Sequence, residues 1–152
     1  MRAFLFLTGH RRKLNMSLIF YAHPLSTYCA KVRIILKLKT IDFDEQLPLG
    51  GSYHSNAYHK LIAAGSVPAI QDGSFVLHDS DAVAEYLEDC YPLPVMRASD
   101  LQQRAYHRSV ARYHDTRLEP ALRALFGLIG ETDADRADAV VSVLTDCLLR
   151  LA

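Results

Sequence analysis

The 152-residue chain carries no net charge, since 17 Lys and Arg balance 17 Asp and Glu. That balance offers nothing to a nucleic-acid backbone or an anionic membrane surface, and neither is an expected partner. Long hydrophobic runs are missing too. No segment reaches the roughly 20 apolar residues of a membrane-spanning helix. The run Ala3 to Leu7 is too short for a secretory leader, and its basic cluster follows it rather than precedes it. Cysteine is scarce: Cys29, Cys90 and Cys147 are odd in number and widely spaced. This argues against a disulfide framework and for reduced thiols in a cytoplasmic protein. The 7 histidines show no metal-ligand spacing; His54 and His59 are five apart with no carboxylate nearby. No metal is expected. Internal repeats and low-complexity tracts are absent.

What is present reads as alternating strands and helices, then helices alone. "SLIFY" (17–21) is a short β-favouring apolar run. The period then changes: Cys29, Val32, Ile35 and Leu36 share one helical face over 27–39, with Lys31, Arg33, Lys37 and Lys39 on the others. Residues 40–48 alternate, with Ile41, Phe43 and Leu47 inward, as a second strand. "LGGSYHSN" is a loop, and "AYHKLIAAG" a short helix ending at Gly65. Val67–Gln71 and Phe75–His78 form a hairpin about Asp72-Gly73. A helix capped by Asp79 or Ser80 follows and is ended by Pro92. Residues 100–127 are helical, with a kink or break near Glu119 because of Pro120. Residues 134–151 form a last helix with Val140, Val143, Leu144, Leu148 and Leu151 on its apolar side.

Three pieces in this order carry a resemblance: "HPLSTYCAKVRIIL", "AAGSVPAI" and "LHDSDAVAEYLEDCYP". The first resembles the strand-loop-helix of serine-type, theta- and zeta-like cytosolic glutathione transferases. The second resembles the motif NPxGxVPAL of that family, and the third its L-[EQ]-S-x-A-I-x-x-YL. The resemblance implies an α/β plus all-α protein. A thioredoxin-like, glutathione-binding domain (βαβ-ββα) would occupy 16–92, a linker 93–99, and a partial, truncated helical C-terminal domain 100–152. Residues 1–15 are expected to be an extension, poorly ordered.

The implied activity is conjugation of glutathione, a co-substrate, to a small hydrophobic electrophile. Ser26 takes the place of the catalytic serine, donating a hydrogen bond to the ligand thiolate, with Thr27 as a second hydroxyl. Val67, ahead of Pro68 in a cis bond, pairs its backbone with the cysteinyl part, as in strand addition. Ser80, at a helix N-terminus, takes the γ-glutamyl carboxylate, and Asp79 helps hold the amino group. Asp79 is shorter than the usual Glu or Gln. Ser66 stands where many members carry Lys, Arg or Gln, so Tyr53, His54 and Lys60 are candidates for the remaining glutathione contacts. Family dimers make a homodimer the expected assembly, with Asp115 a candidate contact across it. Cys29 has two readings. It shares a face with Val32 and Leu36, as a small buried hydrophobe does; if exposed, it would support a thiol oxidoreductase. A non-catalytic, protein-binding regulator of the same fold is the other alternative.

Overall fold

A computed structural model describes residues 18–127 and 134–150. The expected extension 1–15, Ser17, Leu151 and most of the loop before the last helix lie outside them. The chain divides into two compact units, with the boundary between Met96 and Arg97.

The first unit runs β1 (Leu18–Tyr21), α1 (Thr27–Leu38), β2 (Phe43–Gln46), α2 (Asn56–Leu61), β3 (Ala69–Asp72), β4 (Phe75–His78) and α3 (Ser80–Cys90). The sheet order is β2-β1-β3-β4. β1 and β2 are parallel, and β3 is antiparallel to both β1 and β4. This is the thioredoxin-like architecture that the sequence implied. Period-two alternation sorts the side chains to the two faces of the sheet. Leu18, Phe20 and Ile70 pack with Cys29, Val32 and Leu36 of α1 and Val83 and Leu87 of α3. Tyr21 and Ala69 pack on the other face with Tyr58 and Ile62 around α2. Each fully buried aliphatic or aromatic side chain contributes about 1.5–3 kcal/mol.

Several local expectations change. β2 is confined to Phe43–Gln46, and Leu47 is 56% exposed, because β2 is an edge strand whose inward positions end at Phe43. α2 stops at Leu61 rather than Gly65. Gly65 instead sits in a following turn, its N–H donating to Ile62 O at 2.9 Å with φ +55°. A Cβ there would lie 2.3 Å from His59 Cε1. In the hairpin Asp72 pairs with Phe75, so Gly73-Ser74 and not Asp72-Gly73 form the turn. Gly73 supplies the positive φ of +63° at its first central position.

Lys39 is not on a solvated face. It is buried, and its Nζ meets Glu88 Oε2 at 2.6 Å, the Tyr91 carbonyl at 2.6 Å and the Pro94 carbonyl at 2.9 Å. The end of α1 is thereby tied to the end of α3.

The second unit is helical: α4 (Leu101–Tyr113), a π-helical turn (His114–Leu118), α5 (Glu119–Phe126) and α6 (Ala134–Leu149). Asp100 caps α4, its side chain accepting from Gln103 N at 2.8 Å. Pro120 causes no break. It lacks an N–H, and its ring needs room beside the carbonyl four residues back. The chain widens instead, and the Glu119 N–H reaches His114 O, five residues back. On α6 the half-buried stripe is Ala137, Val140, Leu144 and Cys147. Val143 and Leu148, expected inward, are exposed. Tyr113, from α4, donates to the Cys147 carbonyl at 2.9 Å.

Candidate ligand site at one end of the sheet

Hydrogen-bond register sets where the candidate residues go. Tyr21 pairs with Gln46 on one side and with Ala69 on the other, and Ala69 pairs with His78. These four residues form the last rung at one end of the sheet. Ser26 follows Tyr21, Ser66 to Pro68 precede Ala69, and Asp79 and Ser80 follow His78. Antiparallel pairing therefore carries three sequence-distant segments to the same end. Tyr53 and His54 follow Gln46, beyond the edge strand. Their rings are 4.2 Å apart, and no hydrogen bond among the described residues links their side chains to the other candidates. Lys60 is exposed on α2. Asp115 belongs to the second unit. It lies in the π-helical turn, where its Oδ1 is 3.0 Å from His114 Nδ1.

Ser26 is half-buried and is the N-cap of α1 (φ −81°, ψ 120°). Its Oγ accepts from the Cys29 N–H at 3.2 Å. Capping uses only an acceptor lone pair of the hydroxyl, while its proton is within reach of the Cys29 sulfur. The Thr27 Oγ1 is buried without a hydrogen-bond partner, so it is not placed to meet a ligand arriving from solvent. The Cys29 sulfur lies in the core at 0% exposure. The His23 N–H approaches it at 3.5 Å. Burial pushes the Cys29 thiol up, and the hydrogen bond with Ser26 only partly offsets this. A protonated, inaccessible thiol is a poor nucleophile, which counts against the oxidoreductase reading.

The Val67–Pro68 peptide is cis. Val67 lies outside the paired part of β3, and its backbone enters no hydrogen bond among the described residues. Its side chain packs against both core clusters. Asp79 is the cap of α3: its Oδ1 accepts from Asp81 N at 2.9 Å and Ala82 N at 3.0 Å. It does so at φ +79°, a value that non-glycine residues seldom take. Ser80 is buried at the first position of α3. Asp81, next to it in the first turn, is paired with Lys31 of α1.

Tyr58 went unnoticed in the sequence. It is fully buried, its ring 5.7 Å from Tyr21 in an edge-on arrangement. Its hydroxyl donates to the Ser66 carbonyl at 2.9 Å. Helical spacing with Ile62 marks the residue as inward-facing, but no local signal names the acceptor. Among the described residues no group of three or more His, Cys, Asp and Glu could hold a metal ion. No described helix is long and apolar enough to cross a membrane.

Comparison with known proteins bears on the same region. Residues 20–95 match the family model "Glutathione S-transferase, N-terminal domain". A maleylacetoacetate isomerase of Pseudomonas aeruginosa is 41% identical over 97 residues, covering 60% of this chain and 45% of the relative. Glutathione S-transferase Z2 of Arabidopsis thaliana is 36% identical over 99 residues, covering 63% and 42%. The chain thus spans less than half the length of these relatives. Human glutathione-S-transferase T1-1 superimposes with a TM-score of 0.76 at 30% identity, over 90% of this chain and 62% of that one. A theta-class enzyme of Xanthomonas axonopodis pv. citri, solved with glutathione bound, gives 0.77 at 22% identity, over 89% and 68%. At that identity it speaks to the fold alone.

Proposed function

The chain belongs to the glutathione S-transferase family, and we propose that it binds glutathione at this end of the sheet and conjugates it to a small hydrophobic electrophile. The observation that carries the reading is the convergence of Ser26, Val67 and Ser80 beside the Tyr21–Ala69–His78 rung. Each offers what one part of the tripeptide needs. Val67 offers unpaired backbone to the cysteinyl unit. At the α3 N-terminus the Asp79 cap takes the Asp81 and Ala82 N–H groups, and the Ser80 N–H and hydroxyl are what it offers to the γ-glutamyl carboxylate. Asp79 uses Oδ1 in capping, which leaves Oδ2 for the amino group. Ser66, Tyr53 and His54 are the candidates for the glycyl end.

Ser26 supplies the chemistry. A free thiol with a pKa of about 8.5 is mostly protonated at neutral pH. A hydroxyl donating to sulfur, at the positive end of α1, favours the thiolate. The thiol proton passes to solvent, and the thiolate attacks an electrophilic carbon, forming the S–C bond as a halide leaves with its electron pair or an epoxide C–O bond opens to an alkoxide that solvent protonates. Homodimerisation, a contact from Asp115 across the dimer and a cytoplasmic location complete the proposal.

Isothermal titration with glutathione tests it. Saturable heat at micromolar to millimolar ligand is expected, with loss of affinity in Ser80→Ala. Absence of heat at millimolar glutathione would leave the non-catalytic, protein-binding reading in its place.

A further inference from the structure

We propose that Tyr58 is a positioning residue for glutathione, its hydroxyl fixing the Ser66–Val67 peptide so that the Val67 N–H faces the ligand. The inference rests on the functional reading above. A trans peptide is planar, with its C=O and N–H pointing in opposite directions. The Ser66 carbonyl and the Val67 N–H belong to one such peptide. The Tyr58 hydroxyl holds that carbonyl at 2.9 Å, so it also sets the direction of the N–H.

The Val67 side chain packs against both core clusters, but on the Ser66 side the loop has little else to hold it. Ala63 and Ala64 are exposed and carry no polar side chain, and Gly65 adds backbone freedom. The remaining ties, His59 Nδ1 to Ala63 O at 3.3 Å and Gly65 N–H to Ile62 O at 2.9 Å, lie upstream of Ser66. Tyr58 itself is well anchored by the edge-on contact with Tyr21 and by full burial. Burial also raises its phenol pKa, so the hydroxyl remains a donor wherever the enzyme would work. A phenylalanine would fill the same space. Packing alone does not require the oxygen.

The test compares Tyr58→Phe with the unaltered chain and with Tyr21→Phe. The control loses a hydroxyl on the same face, bonded to Gln71 Oε1 at 3.1 Å, without touching Ser66. In Tyr58→Phe, glutathione Kd and KM are expected to rise about five-fold, the worth of one net hydrogen bond. kcat should stay within about two-fold. The order parameter of the Val67 N–H in the ligand-free protein, read by nitrogen-15 relaxation, should fall, and Tyr21→Phe should show neither effect. Unchanged affinity or an unchanged Val67 order parameter in Tyr58→Phe overturns the inference, even if its Tm falls. If the unaltered chain binds no glutathione, the functional reading fails, and the Val67 order parameter still decides whether Tyr58 sets that peptide.

Discussion

The Ser26 Oγ accepts the Cys29 N–H at 3.2 Å, so the residue proposed to hold the ligand thiolate is also the N-cap of α1. The two roles separate by mutation. Ser26→Ala should lose the hydroxyl and about 1 kcal/mol of cap energy, whereas Ser26→Gly should lose the hydroxyl and only a few tenths. Both should lower kcat/KM near pH 7 by roughly 10- to 100-fold, as the bound thiol titrates about 1–2 units higher. The deficit should shrink at alkaline pH, where the thiol ionises unaided. A pH–rate profile unchanged in both variants would remove Ser26 from the mechanism.

Cys29 and Cys90 should differ sharply toward alkylating agents. Cys29 is buried with its thiol pKa raised, while Cys90 is exposed. Iodoacetamide followed by mass spectrometry should find Cys90 modified in the native protein and Cys29 only in denaturant. Cys29→Ala should cost about 1 kcal/mol of stability and leave conjugation intact. Native-state labelling of Cys29 would refute its placement in the core.

Lys39→Met should be far more damaging than an average lysine substitution. It removes the counter-ion of the Glu88 carboxylate, which keeps the Met96 N–H on Oε1, and the donor to the Tyr91 and Pro94 carbonyls, all within 2.9 Å of the ammonium. Removing one partner of a buried ion pair costs about 3–5 kcal/mol. Urea denaturation reads the loss directly. A midpoint equal to that of the unaltered protein would contradict the arrangement.

Stability should fall at high pH through buried phenols. Burial raises the pKa of Tyr58 and Tyr86 above the ordinary 10.0, and for Tyr86 the hydrogen bond to Asp72, 2.6 Å long, adds to it. The folded state therefore holds these protons more tightly than the unfolded chain. Their contribution is complete below about pH 10, the unfolded value, and is lost as pH climbs toward the folded one. Urea midpoints measured from about pH 8 to 11 should decline only in the upper part of the range. Tyr86→Phe should weaken that decline.

Much of the first unit was legible because its signals are local. The Cys29–Val32–Leu36 spacing marks the inner face of α1, and burial of those three residues agrees. Asp79 and Ser80 both read as caps, and Asp79 is the one that caps. The failures share one cause. Lys39 reads as surface because lysine usually is, yet its partners lie 52 and 55 residues away. Gly65 reads as a helix end because helices often stop at glycine. Its N–H bond to the Ile62 carbonyl shows that it serves a turn after the helix instead. Pro120 reads as a kink or break near Glu119; the irregularity is there, but the helix absorbs the missing donor by widening for one turn instead of breaking.

The sequence by itself determined the order of the elements and the inner face of α1. Periodicity, caps and turn residues act within a few positions of each other, and they survive reading along the chain. Only the tertiary structure decided that Ser26, Val67 and Ser80 share one end of the sheet, that the Cys29 thiol is sealed in the core, and that Tyr58 holds the Ser66 carbonyl. Those relations depend on strand register and on which helix covers which face. They are fixed when the sheet closes its hydrogen bonds and the two cores pack, because only then do residues distant in sequence meet.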